Sequence, residues 1–80
     1  MRAEKVPSGM VKVAVVFETN GTIVPVWFDA NGQRVKVQEV CYRWSHMEGA
    51  ATILNFAVWD GVQTWELAYN VKAEYWNLRL

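Results

Sequence analysis

Three dipeptides constrain this chain more than any other feature: Asn20-Gly21, Asn31-Gly32 and Asp60-Gly61. Each sits between short runs rich in Val, Thr, Phe, Tyr and Trp. Asn-Gly and Asp-Gly favour the tight primed turns of β-hairpins, whose two central residues both need positive φ. Runs of six to twelve residues punctuated in this way predict an all-β chain.

Register tests the turns. In a two-residue hairpin, opposed residues have indices with a constant sum. About Asn20-Gly21 this pairs Phe17 with Val24, Val15 with Val26 and Val13 with Phe28, all on one apolar face. About Asn31-Gly32 it pairs Phe28 with Val35 and Val26 with Val37, extending that face into a third strand. Beyond Val37 the apolar positions become Val40, Tyr42 and Trp44, so the phase changes from odd to even. A one-residue bulge near Gln38-Glu39 accounts for the change and bends the strand. The third turn pairs Phe56 with Trp65, Leu54 with Leu67 and Thr52 with Tyr69. Ser45 to Ala50 reads as a polar loop or a single helical turn, and Asn70 to Ala73 as a connection. A last strand over 74–80 turns Trp76, Leu78 and Leu80 to one side. Residues 1–10, with Pro7 and Gly9, read as a loose N-terminal extension, and residues 11–80 as one β domain. About six antiparallel strands in a meander are expected, in a strongly bent sheet or small barrel whose edges are the first and last strands.

Composition narrows the function classes. Of 80 residues, 52% are apolar, which is incompatible with a disordered chain. The longest apolar stretch, Val13 to Phe17, falls far short of a membrane span. No charged and then apolar leader opens the chain, so a secretory signal is not expected. Cys41 is the one cysteine and His46 the one histidine. Disulfides are therefore unavailable, and a four-ligand structural zinc site cannot be assembled. Cohesion has to come from apolar packing, above all from the aromatic side chains. An unpaired cysteine fits a reducing compartment, and the protein is read as cytoplasmic.

Candidate chemistry is sparse. Ser45, His46 and Glu48 are near neighbours, but catalytic triads converge from separate elements and residues adjacent in one loop rarely do. His46 reads as a solvated loop histidine. Cys41 alternates away from Val40 and Tyr42 and reads as a small packed side chain. No phosphate-cradling glycine run and no working pair of carboxylates is identifiable. The chain is read as a non-enzyme with no cofactor and no metal.

Binding remains. Trp27 and Lys36 oppose one another on the mixed face of the second hairpin, with Arg34 two residues along. That patch suits base stacking. Phosphate neutralisation dominates non-specific affinity, however, and the formal net charge here is zero. Lys36 over Trp27 is also an ordinary cross-strand cation–π pair. The stronger signal is a surplus of apolar groups on the second face: Trp27, Pro25 and Ile23 in one hairpin, and Ile53, Ala57, Trp59, Val62 and Ala68 in another. A loop, the extension or a helical turn covers that face, or a partner does. Tryptophan is favoured at interface hot spots. The expected interaction surface is Trp27, Lys36, Ile53, Trp59 and Val62, serving a protein partner or self-association as a homodimer. The alternative is a nucleic-acid-associated small barrel using Trp27, Arg34 and Lys36.

The stretches P-V-W-F-D-A-N-G-Q-R-V-K-V-Q-E-V-C-Y-R-W, F-A-V-W-D-G-V-Q-T-W-E-L-A-Y-N and Y-W-N-L carry a resemblance. The chain resembles a family of small uncharacterised bacterial β-domains. Their pattern runs Pro…Phe, a Gly-Arg-type turn, Val-x-x-Val-x-x-x-Trp, a variable loop with Gly, a Tyr/Trp-x-Leu strand and a closing Trp-x-Leu. Val37, Val40 and Trp44 match its middle element, and Trp65, Leu67, Tyr69, Trp76 and Leu78 match its end. The resemblance covers about two thirds of the chain and implies the fold. Some members lie near translesion DNA-repair genes, but the family has no established activity or site residues to transfer.

Overall fold

A computed structural model describes residues 9–79, and it is all-β. Eight strands form: β1 (Met10–Val11), β2 (Val13–Phe17), β3 (Ile23–Ala30), β4 (Gln33–Lys36), β5 (Glu39–Glu48), β6 (Ala51–Trp59), β7 (Thr64–Asn70) and β8 (Tyr75–Arg79). They make two antiparallel sheets, one ordered β1-β8-β7-β6-β5 and the other β2-β3-β4. The bent meander is therefore two open sheets rather than a closed barrel. Eight strands replace six because two runs each divide where the chain changes sheets. The clearest change is at Val37-Gln38. The Val37 N–H donates to Val26 O in the small sheet, and the next N–H, of Gln38, donates to Trp59 O in the large one. Residues 1–8 of the expected extension, and Leu80, lie outside the described residues, while Met10 opens β1 opposite Asn77.

Turn chemistry decides how far each expected register holds. Asn31 and Gly32 both take positive φ (53° and 78°), as a primed turn demands, and Phe28 faces Val35 and Trp27 faces Lys36. Around Asn20-Gly21 only the glycine does so. Gly21 N–H donates to Glu18 O and Glu18 N–H to Thr22 O, so three residues form the loop and Phe17 faces Ile23. A bulge that leaves Val26 unopposed then restores Val13 opposite Phe28. Pro25 beside it has no N–H to offer a ladder, and it lies beyond the end of the β4 pairing.

The Asp60-Gly61 turn is four residues long. The Asp60 carboxylate accepts the N–H groups of Val62 and Gln63, both at 2.7 Å, and its other oxygen takes the Trp65 indole N–H at 2.8 Å. The loop so organised sets Phe56 opposite Leu67, Val58 opposite Trp65 and Leu54 opposite Tyr69. Every expected pair is displaced by two, which preserves parity and therefore the face. Ser45 to Ala50 is no loop: β5 continues through Ser45, His46 and Met47 to Glu48, and a two-residue turn at Gly49-Ala50 leads into β6. The bulge in β5 falls at Cys41, between Val40 and Tyr42. The last strand is not an edge, because β1 pairs along β8.

The core lies between the sheets. Phe28 and Ala30 meet Phe56, Val58, Leu67 and Leu78, with Trp65, Tyr69 and Trp76 packed around them. The Trp65 ring stands edge-on to Phe28 at 5.3 Å. This packing of two inner faces is what lets so short a chain fold without cross-links.

Of Gly21, Gly32, Gly49 and Gly61, only Gly61 is closely approached. Its φ is +103°, and a Cβ there would fall 2.6 Å from Gln38 Nε2. Gly61→Ala is expected to cost about 1–3 kcal/mol, read as a melting point lower by about 4–8 °C per kcal/mol in a domain this size. Adding Gln38→Ala relieves the contact but not the φ, so only partial recovery is expected.

Candidate functional site

Alternation about the Cys41 bulge sets the two faces of β5. Arg43 and Ser45 oppose Phe56 and Leu54 on the core side, whereas Tyr42, Trp44 and His46 oppose Ala57, Asn55 and Ile53 on the outer side. The bulge therefore turns Tyr42 and Trp44 outward, where odd-to-even counting placed them with Val40 in the core. Tyr42 is 72% exposed, Trp44 44% and Met47 60%. Strand β5 is also the edge of its sheet, since β6 is its one neighbour among the described residues. Among the described residues its backbone edge is thus unpaired over ten residues. Between the bulge and Met47 it carries no Pro, Lys, Asp or Glu, and its one formally charged residue, Arg43, turns to the core side and is engaged by Ile23 O. Cys41 is exposed at the bulge rather than packed.

The outer face of the large sheet also carries a polar cluster. His46 and Glu48 are two apart on β5 and so share a face. His46 Nε2 lies 2.9 Å from Glu48 Oε2, and His46 Nδ1 lies 2.9 Å from Asn55 Nδ2. The carboxylate accepts, so Nε2 carries the proton, which leaves Nδ1 to accept from the Asn55 amide. Arg79 Nη2 donates to Glu48 Oε2 at 3.3 Å. Strands β6 and β7 separate Arg79 from Glu48, and a flat sheet would hold β5 and β8 about 14 Å apart. Contact between these side chains means that the sheet curls over its outer face. Beneath lie Ala51, Ile53, Ala68 and Asn55, all buried. Asn55 is 1% exposed, yet its Oδ1 has no hydrogen-bond partner among the described residues; the same is true of Arg79 Nε. Ser45 faces the other way from His46 and Glu48, so the three do not converge.

The His46 hydrogen bond, then that of Arg79, holds the Glu48 carboxyl below the usual carboxylate range. The Gln63 N–H, then the Trp65 indole and the Val62 N–H, do the same for Asp60. A depressed folded pKa contributes stability above the unfolded value, and that contribution disappears as pH falls through the folded one. Melting temperature is therefore expected to fall as pH drops below about 4.5, into the range where free carboxyls protonate. Asp60→Asn and Glu48→Gln should each flatten that fall, and an unchanged acid limb in both variants would contradict these contacts.

The small sheet presents Trp27, Asp29, Arg34 and Lys36 outward. Trp27 does face Lys36, but the group stacked on its ring is the Arg34 guanidinium, 3.5 Å from the centroid. Asp29 holds Arg34 there through a 3.2 Å ion pair. The diagonal residue wins because its planar head covers an indole and reaches the carboxylate together. A cleft of about 330 Å³ opens between the first hairpin turn and the β5–β6 hairpin. Arg43, which lines it, donates to Ile23 O at 2.7 Å, so its one charged group is already engaged.

The five residues expected to form one surface are divided. Trp27 and Lys36 lie on the outside of the small sheet, whereas Ile53 and Trp59 lie on the outside of the large one. Ile53 is buried, Trp59 half-buried, and Val62 stands 83% exposed on the Asp60 loop. In the sequence the β5 edge is masked by Ser-His-Met-Glu-Gly, which has the composition of a loop. Its signal was the alternation Tyr42, Trp44, His46, Glu48. Among the described residues no cluster of His, Cys, Asp or Glu is arranged to hold a metal, and no helix is long and apolar enough to cross a membrane. No family model, curated protein or solved structure matches the chain.

Proposed function

We propose that the protein is a non-enzymatic interaction module that accepts a protein strand, its own or another's, along β5. The observation that carries this reading is the ten-residue edge with Tyr42, Trp44 and Met47 exposed on it. Strand addition gains affinity from main-chain hydrogen bonds and specificity from alternate side chains. A cytoplasmic setting suits an exposed thiol at Cys41. Kinship with the small bacterial β-domains is part of the same reading: Val37, Val40, Trp65, Leu67, Tyr69, Trp76 and Leu78 all pack on the core, so they speak for fold and not for role.

The nucleic-acid reading has less support. Trp27 offers one ring face already covered by Arg34, and Arg34 is itself engaged by Asp29. Selection of extended peptides from a displayed library tests the strand-addition reading. Enriched peptides are expected to protect the amides of β5 from hydrogen exchange. Failure to enrich any peptide, or protection confined to β2 or β4, overturns it.

A further inference from the structure

We infer that the strand received by β5 is the β5 of a second copy, paired antiparallel about a two-fold axis at Ser45. This rests on the strand-addition reading and adds a partner and a register. The bulge at Cys41 interrupts β5, which leaves Tyr42 to Glu48 as its regular stretch. In a continuous sheet built on a perpendicular two-fold, directly opposed residues point to the same side. Their indices must then have an even sum, because β5 residues alternate between core and outer face. One register among these uses the whole regular stretch, and it centres on residue 45.

That register is free of like-charge opposition. Tyr42 meets Glu48, Arg43 meets Met47 and Trp44 meets His46, each pair occurring twice, with Ser45 facing its own copy. A centre at Arg43 sets two guanidinium groups against each other, which is destabilising. Centres at Cys41 or Tyr42 fall on or beside the bulge, where the ladder is disrupted. The Ser45 centre is thus the one that pairs the whole regular stretch, and it does so with no like charges opposed. Trp44 stacks beside the partner's imidazole at the middle of the outer face, in the position a hot-spot aromatic occupies. Pairing also consumes an edge that would otherwise invite open-ended aggregation, since a two-fold closes on itself.

Sedimentation and cross-linking test this on the full chain. The wild-type protein is expected to dimerise at about 100 µM, with Trp44→Lys weakening association about tenfold or more. In a Cys41→Ser background, Ser45→Cys should form a disulfide-linked dimer on mild oxidation, because directly opposed Cα atoms lie about 4.5–5.5 Å apart. Met47→Cys in the same background should not, since the two copies of that residue stand about 14 Å apart. A monomeric wild-type protein overturns the inference, as does a dimer in which Met47→Cys cross-links and Ser45→Cys does not. Peptide protection of β5 in a monomeric chain would remove the second copy while leaving strand addition standing. Protection absent from β5 removes both.

Discussion

Phe28→Ala is expected to remove a large share of the protein's stability. The ring is fully buried at the centre of β3, opposed by Val13 and Val35 within its own sheet and by Trp65 from the other. Truncating a buried phenylalanine costs about 3–5 kcal/mol, because the transfer energy and the cavity add. A domain of 80 residues has about 4–12 kcal/mol to lose. At the low end of that range the variant does not fold at 25 °C. Urea unfolding followed by tryptophan fluorescence measures the loss directly, since Trp65 stands against the ring. A cost under about 1.5 kcal/mol would mean that the small sheet is not packed on the large one. That outcome would refute the two-layer fold itself.

The residues that face the core were legible from the sequence, and the architecture around them less so. Phe28, Val35, Phe56, Leu67 and Leu78 were all read from alternation, and all pack in the core. They survive errors of register because a slip of two residues leaves every side chain on its face. The third hairpin made such a slip. The Asp60 carboxylate takes two backbone N–H groups, which lengthens the loop to four residues, and a dipeptide signal carries no knowledge of that side chain. The first hairpin slipped by one, which is more serious. It carries Ile23 onto the core face in place of Val24, while Phe17 opposite Ile23 keeps its expected face and yet stands 69% exposed. The bulge at Cys41 had the largest consequence for function. Displacing it by a few residues exchanges the two faces of β5, and with them the surface the chain offers. Bulges leave almost no compositional trace, whereas turns have preferred residues. The candidate site was therefore hidden in the least legible part of the fold.

Asn55→Leu is expected to stabilise the protein, against the usual sign for a core substitution. Asn55 is enclosed on every side, and its Oδ1 meets no donor among the described residues. A buried polar atom without a partner costs about 1–3 kcal/mol. Leucine has similar volume, removes that cost and adds apolar contact with the neighbouring Ile53 and Ala68 positions. Against this, His46 Nδ1 loses the Asn55 amide at 2.9 Å and Ile53 O loses its longer 3.5 Å contact with the same amide. The His46 side chain is 40% exposed, so water can replace that donor. The balance favours the variant by about 1 kcal/mol or more, or a melting point higher by about 4–8 °C. A loss of more than about 1 kcal/mol would show that the Asn55 carbonyl is satisfied in solution. The sign bears on function, because natural chains retain a costly buried polar group where it positions something. What Asn55 positions is the His46 ring, which the Ser45 register sets beside Trp44 of the second copy. Asn55→Leu should therefore combine a stabler fold with a weaker dimer. Those two readouts move together only if the amide serves packing alone.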